Sequence, residues 1–173
     1  LELAAALTSL AEARYQAGDL EAALEHFARA HKLTEEALGP DHPSLVASLG
    51  NLAMLLQERG DKAAAEVLCR RCLAIEEREL GPEHAAVALS LNDRAALRGQ
   101  QGDFAGAEPL LRRAVAINEK ALGPEHAETG LCLDSLSSLL CDKGALAEAE
   151  PVLRRALGVL EKTLGHRHAT TDT

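Results

Sequence analysis

Hydrophobic residues recur along the chain at helical spacing, in segments that end at a glycine. Between residues 43 and 59 the apolar positions are Leu45, Leu49, Leu52, Ala53 and Leu56. Steps of three and four residues place such side chains on one face of a helix. Gly60 follows, as expected just past a helix end, and the next apolar face ends at Leu80-Gly81-Pro82. The pattern therefore predicts two helices joined by a short turn.

This helical hairpin is repeated with a period of 42 residues. The segment Leu-Gly-Pro-Asp-His at 38–42 returns as Leu-Gly-Pro-Glu-His at 80–84 and 122–126, and in weaker form at 164–168. A glycine between the two helices keeps the same period, at Gly18, Gly60, Gly102 and Gly144. Two markers in register over four units indicate an internal repeat.

The repeat predicts an all-α fold, an α-solenoid of four stacked antiparallel helix hairpins. Short turns make consecutive helices antiparallel, and stacking buries the faces that one hairpin leaves open. The predicted helices are 1–17, 20–38, 43–59, 62–80, 85–101, 104–122, 127–143 and 146–164. We expect one array over residues 1–168, with repeats 1–42, 43–84, 85–126 and 127–168, and a disordered tail at 169–173.

The turns carry residues suited to starting the next helix. Asp19, Asp61 and Asp103 follow the inter-helix glycines and can accept hydrogen bonds from free amide groups at a helix start. The fourth unit has Ala145 instead, so its second helix should begin less sharply. Pro109 and Pro151 are expected in the early turns of their helices, each with a slight kink.

Composition and charge exclude some classes of partner. The chain of 173 residues carries a net charge of −9, and only 2% of its residues are aromatic. It lacks both the cations that neutralise phosphates and the rings that stack on bases, so we expect no nucleic acid and no anionic membrane as partner. No signal-peptide pattern is present. Its cysteines are predicted to be free thiols, which favours the cytoplasm. We expect the sequence to be a piece of a longer protein.

At this point the sequence resembles the tetratricopeptide repeat family, and within it the 42-residue variety of kinesin light chains. The matching stretches are Leu49–Ala53 with Gly60, Glu108–Ala114, and the Leu-Gly-Pro-Glu-His turns. The resemblance covers about residues 1–168. It implies a right-handed superhelix whose groove, lined by the first helix of each pair, binds a protein or peptide without chemistry of its own.

Carried over from the family pattern, the peptide-groove positions lie on the first helix of each unit. They are Ser9, Glu12, Tyr15, Asn51, Met54, Glu58, Asn92, Asp93, Asp134, Ser135, Ser138 and Asp142, with Thr8, Gln57 and Gln100 beside them. Asn51 matches a family position that bonds a peptide backbone, but its equivalents here are Ser9, Asp93 and Ser135. The set is acidic and contains no Lys or Arg, so we expect basic or neutral polar peptides. The alternative is a set of solvated polar residues without a binding role.

Three further patterns resemble functional sites but favour structural roles. Cys69 and Cys72 form a C-x-x-C without the further ligands that zinc needs, and are expected in the core. The turn histidines, His42, His84 and His126, lie one repeat apart, too far to share a metal. The paired arginines at 70–71, 112–113 and 154–155 are expected to pair with Glu66, Glu108 and Glu150. We predict no catalytic residue, no cofactor and no metal.

Two functions follow as hypotheses. The first is a non-enzymatic protein–protein interaction module that binds a peptide in the groove. The second is an assembly or regulatory segment of a larger multidomain protein, which acts through helix–helix self-association at the ends of the array and so forms a homo-oligomer.

Overall fold

The computed structural model describes residues 1–169, and from 164 to 169 only their backbone. Over this part of the chain the fold is all-α, with eight helices and no strand. The helices are α1 Glu2–Gln16, α2 Leu20–Leu38, α3 Leu45–Glu58, α4 Lys62–Leu80, α5 Ala85–Gln100, α6 Phe104–Ala121, α7 Ala127–Asp142 and α8 Leu146–Ala169. The all-α fold predicted from the 42-residue repeat is confirmed.

The last helix is longer than the sequence predicts. The expected end at Leu164-Gly165 is wrong, because α8 continues to Ala169. A proline, which cannot continue a helix, follows the glycine in each of the three complete turns, whereas His166 stands at this place. Of the predicted tail, Ala169 belongs to α8, and residues 170–173 lie outside the described part of the chain.

The chain forms two compact units of two hairpins each. The first unit is Leu1–Glu79, with α1 to α4, and the second begins at Leu80 and holds α5 to α8. Within the first unit α2 packs on α1 and on α3, and within the second α6 packs on α5 and on α7. The division falls near the expected boundary between the second and third repeats. One array over residues 1–168 remains a proposal.

Leucine and alanine fill the cores of both units. In the first unit Phe27 and Leu55 pack with Ala11 and Ala23 where α1, α2 and α3 meet. In the second unit one cluster joins α5, α6, α7 and α8, made of Ala95, Ala107, Leu111, Leu136, Leu139, Leu140 and Ala149. Alanine at these contacts lets helices approach closely, and the larger leucine side chains bury more apolar surface each.

The turn residues act as the sequence predicts. Gly60 and Gly81 have φ values of +91° and +89°, a region that other residues rarely enter. The carboxylates of Asp19, Asp61 and Asp103 each accept a hydrogen bond from a backbone N–H in the first turn of the helix that follows. The alanine side chain of Ala145 cannot do so. The first turn of α8 instead has a hydrogen bond between residues three apart, from the N–H of Glu148 to the Ala145 carbonyl at 3.0 Å. Pro109 and Pro151 lie early in α6 and α8.

The three turn histidines have a structural role. Nδ1 of His42, His84 and His126 accepts a hydrogen bond from the N–H two residues later, at 3.2 Å in each case. The bond satisfies one of the amide groups that a helix start leaves free. The structural interpretation of these histidines is therefore confirmed.

Ion pairs also follow the repeat. The predicted pairs Arg112–Glu108 and Arg154–Glu150 form at 2.6 Å. Another series, which the sequence analysis missed, joins the end of a second helix to the turn before the first helix of the same hairpin. Its members are Arg78–Asp41, Lys120–Glu83 and Lys162–Glu125. Exposed pairs contribute only about 0.2–1 kcal/mol each, so the apolar contacts dominate stability.

Candidate functional site

In the first unit, two of the predicted groove residues meet. The Tyr15 hydroxyl donates a hydrogen bond of 2.6 Å to Oε1 of Glu58, which joins α1 to α3. This bond, with some burial and the Glu58 charge, raises the pKa of Tyr15. Ser9 and Glu12 are exposed on α1, and Asn51 is half-buried on α3. Met54 on α3 is 41% exposed.

In the second unit, the predicted residues surround a cavity between α5 and α7. Its volume is about 340 Å³, and we call it the acidic cleft. The polar residues that line it are Asn92, Gln100, Asp134, Ser135, Ser138 and Asp142. Five of these belong to the groove set predicted from the family pattern. The sixth predicted residue of this unit, Asp93, lies next to Asn92 on α5.

Helix periodicity and one glycine create the acidic cleft. Asp134, Ser138 and Asp142 are four residues apart, so they lie along one face of α7. The facing side of α5 carries Gly99, and a Cβ atom there would lie 3.2 Å from Cδ1 of Leu139 on α7. The glycine therefore lets α5 and α7 approach closely and leaves open space above the contact.

The acidic cleft offers acceptors and negative charge. Its described lining residues include Asp134 and Asp142 and no Lys or Arg. The Ser135 hydroxyl donates to the Leu131 carbonyl at 3.2 Å and keeps its lone pairs available. Asp93 retains exposed surface, but protein atoms around its carboxyl group desolvate it and raise its pKa.

A second cavity, which we call the leucine pocket, lies between α5, α6 and α7. Its volume is about 300 Å³, and its lining comprises Ala85, Ala86, Leu89, Asn92, Asn118, Leu122, Glu128, Leu131 and Cys132. Sequence reasoning missed Asn118 because it considered only the first helix of each pair. The sequence does mark this position, because an asparagine stands where the other repeats have Thr34, Glu76 and Leu160.

Of the two cysteines expected in the core, Cys72 is buried, whereas Cys69 is only half-buried. Cys72 is 5% exposed and packs with Leu45, Leu49 and Ile75, which confirms its predicted core position. Burial is the main cause that raises the pKa of its thiol to about 12. Among the residues whose side chains the structure describes, no group of three or more His, Cys, Asp or Glu could hold a metal ion. Among the same described residues, no helix has both the length and the apolar character to cross a membrane.

Comparison with known proteins agrees with this architecture. The tetratricopeptide repeat model matches residues 2–75, 51–120 and 90–162. A solved structure of kinesin-light-chain-type, nearly identical TPR-like repeats from Podosopora anserina has a TM-score of 0.81 and 28% identity, over 92% of this chain and 76% of that one. No curated protein matches the sequence.

Two more distant structures share the fold. BtubC (BKLC) from P. vanneervenii has a TM-score of 0.84 at 23% identity, over 94% of this chain and 65% of that chain. MamA has a TM-score of 0.69 at 16% identity, over 94% and 81% of the two chains. The family model spans nearly all of the sequence in three overlapping matches. The helical repeats of this chain are similar to those of kinesin light chains. The chain therefore belongs to the tetratricopeptide repeat family, whose repeats are protein–protein interaction modules.

Proposed function

We propose that this chain is a non-enzymatic module that binds a peptide or protein segment in the acidic cleft, with preference for Lys/Arg-rich or neutral polar sequences. The observation that carries the proposal is the lining of the cleft, where Asp134 and Asp142 stand without a cation among its residues. Ser9, Glu12, Asn51, Met54 and Glu58 on α1 and α3 are proposed to contribute to binding in the first unit.

Charge complementarity explains the expected preference. Carboxylates at the rim of a binding surface speed the encounter with a cationic peptide and disfavour an anionic one. Such attraction weakens as salt is added, because the screening length falls to about 8 Å at physiological ionic strength.

Titration with two matched peptides tests the proposal. One peptide is rich in Lys and Arg, and the other has Asp and Glu at the same positions. We expect the basic peptide to bind at least tenfold more tightly at low ionic strength by fluorescence anisotropy, with an affinity that falls as salt is added. Tighter binding of the acidic peptide would overturn the proposal.

A pair of variants assigns the binding to the acidic cleft. Replacing both Asp134→Asn and Asp142→Asn should weaken basic-peptide binding about tenfold, since exposed charge pairs contribute up to about 1 kcal/mol each. The control removes the same charge elsewhere, through Glu2→Gln and Glu161→Gln at exposed positions of α1 and α8. Equal losses in the two variants would show that net charge, rather than the cleft, attracts the peptide.

The second candidate function is self-association, and exposed leucines favour it. Leu153 and Leu157 on α8 are 37% and 50% exposed, and Leu3 on α1 is 55% exposed. If these residues join copies of the chain, light scattering will report a dimer that Leu153→Glu with Leu157→Glu dissociates. A monomer that binds basic peptides would favour the first function. Both functions are proposed for the cytoplasm, where free thiols such as exposed Cys141 persist.

A further inference from the structure

Leu10 on α1 is exposed at a position that is buried on other first helices. It is 42% exposed, whereas its equivalents Leu52 on α3 and Leu136 on α7 are 7% and 4% exposed. Leu52 shares a core cluster with Phe27 of α2, and Leu136 shares one with Leu111 of α6. The second helix of the preceding hairpin therefore contributes to the burial of this position on α3 and on α7.

Leu153 on α8 is equivalent to the residues that make this contact from the second helix. It is 37% exposed, whereas its equivalents Phe27 and Leu111 are each 3% exposed. In both cases the first helix of the following hairpin packs on the helix that carries the residue. Leu153 and Leu10 are thus the two halves of one contact, which the chain makes once inside each unit.

A second pair of positions on the same helices has this relation. Nδ1 of His31 on α2 lies 2.8 Å from Oγ of Ser48 on α3. The equivalent residues are Leu157 on α8, which is 50% exposed, and Ala6 on α1, which is also exposed. Both are apolar, so a contact between them would bury apolar surface where the first unit has a polar contact.

An ion pair joins the second helices of successive hairpins. In the first unit Glu35 of α2 pairs with Arg71 of α4. In the second unit Glu119 of α6 pairs with Arg155 of α8 at 2.6 Å. The two pairs are related by two repeats, so they belong to the repeating design of the contact.

The outer faces of α8 and α2 carry the same two residue types in the same register. Glu161 on α8 stands one repeat after Glu119, and Arg29 on α2 stands one repeat before Arg71. Both side chains are exposed. Opposite charges that face each other favour one partner and one orientation. Because one chain carries both halves of all three contacts, a second copy of the chain fits these faces.

We propose that copies of the chain associate head to tail, with the outer face of α8 of one copy packed on α1 and α2 of the next. Three pairs of equivalent residues meet across the contact: Leu153 with Leu10, Leu157 with Ala6, and Glu161 with Arg29. This inference rests on the second candidate function, self-association, and assigns its geometry. The contact joins two different faces, so a dimer keeps one face of each kind free and can add further copies.

Two complementary variants test the inference by sedimentation velocity. Leu10→Glu blocks the α1 face and leaves the α8 face intact, whereas Leu153→Glu does the reverse. We expect the parent protein to form oligomers that grow with concentration, and each variant alone to be a monomer, because every contact needs one face of each kind. An equimolar mixture of the two variants should form a 1:1 dimer and nothing larger, since it contains a single competent pair of faces.

Exchange of the charged pair provides a second route that leaves the apolar residues unchanged. Arg29→Glu and Glu161→Arg should each weaken association about fivefold, the scale of an exposed ion pair. The double variant restores the pair with its signs exchanged, keeps the net charge of −9, and should return to within twofold of the parent protein. Leu89→Glu, at a position 58% exposed on α5, is the control for the leucine variants and should associate like the parent.

The outcomes separate this inference from the functions on which it rests. A dimer of Leu10→Glu alone, absent from Leu153→Glu, would show a symmetric contact through α8 and overturn the head-to-tail geometry while self-association stands. A parent protein that stays monomeric up to millimolar concentration overturns the second candidate function, and the inference with it. Circular dichroism of each variant must match the parent, so that a monomer reports a lost contact rather than a lost fold.

Discussion

The two units share one backbone design but differ at their first helices. In the first unit, Tyr15 on α1 is half-buried and bonds Glu58 on α3. Two repeats later the positions of Tyr15 and Glu58 are taken by Gly99 and Asp142. The second unit thus has no ring at this place, and Asp142 lines an open cavity. Equivalent positions therefore produce different surfaces: the carboxylate of Glu58 accepts a hydrogen bond from Tyr15, whereas that of Asp142 lines a cavity.

The buried side chains should show how alike the units remain. Leu55 on α3 and Leu97 on α5 are equivalent, and they are 0% and 2% exposed. Leu55→Ala and Leu97→Ala should each lower the free energy of unfolding by about 2–5 kcal/mol, because each leaves a cavity in a packed core. Urea denaturation followed by circular dichroism measures the loss. A cost below about 1 kcal/mol for either variant would show that the two cores differ.

Filling the acidic cleft should make the second unit resemble the first. Gly99→Tyr places a ring beside Asp142, as Tyr15 lies beside Glu58, and should weaken binding of a lysine-rich peptide at least tenfold. Leu139 must move by a few tenths of an ångström, because Cβ would lie 3.2 Å from its Cδ1 atom. Gly158→Tyr on α8, where a Cβ meets no atom within 4 Å, is the control and should bind normally. Unchanged affinity of Gly99→Tyr would contradict the cleft as the binding site.

A pH-sensitive contact should distinguish the first unit. Nδ1 of His31 on α2 lies 2.8 Å from Oγ of Ser48 on α3, with Glu35 and Arg71 nearby. Burial lowers the pKa of His31, Glu35 opposes that shift, and Arg71 adds to it. The unfolded chain, with a pKa of 6.5 at this residue, then binds the proton more readily than the folded chain. Stability should therefore be full above that pH and decline below it.

The variant His31→Leu tests this contact, because leucine stands at the equivalent positions 73 and 157. We expect the variant to lose part of the decline in stability between pH 6.5 and the lower pKa of the folded state. Thermal unfolding across this range measures it. The same dependence in the variant and the parent protein would assign the decline to other groups.

The smallest expected effect concerns Tyr15, which is the one tyrosine in a chain without tryptophan. Its hydrogen bond to Glu58 raises its pKa above the ordinary value of 10.0. A spectrophotometric titration of the phenol therefore reports on this residue alone. Glu58→Gln should lower the pKa of Tyr15 toward 10, because the charged acceptor is lost. An unchanged titration curve would contradict the hydrogen bond between Tyr15 and Glu58.

Local chemistry explains what the sequence predicted well. Glycine and proline end helices for steric reasons, and aspartate caps them, so residues such as Gly60, Pro82 and Asp103 place the ends of the helices that the apolar spacing predicts. The end of α8 was misplaced because a Leu-Gly step without proline does not stop a helix. A structural role in the turns was expected for His42, His84 and His126, but not the hydrogen bond that each ring accepts.

The cavities depend on packing between helices, which sequence patterns describe poorly. Gly99 offers no sign that α5 and α7 approach closely beside it, since it resembles any helical glycine. Asn118 lies on a second helix, and its hydrogen bonds depend on where Glu128 and Cys132 place their acceptors. The predicted residues of the acidic cleft came from family resemblance, and the structure supplies the space between them.

The proposed function places the basic peptide on the face formed by α5 and α7. Nuclear magnetic resonance can locate the peptide, through chemical-shift changes in the labelled protein during titration with the lysine-rich peptide. We predict the largest changes at the side-chain amides of Asn92 and Gln100 and at the backbone amides from Asp134 to Asp142. Changes confined to the second helices, or no change at saturating peptide, would contradict the claim.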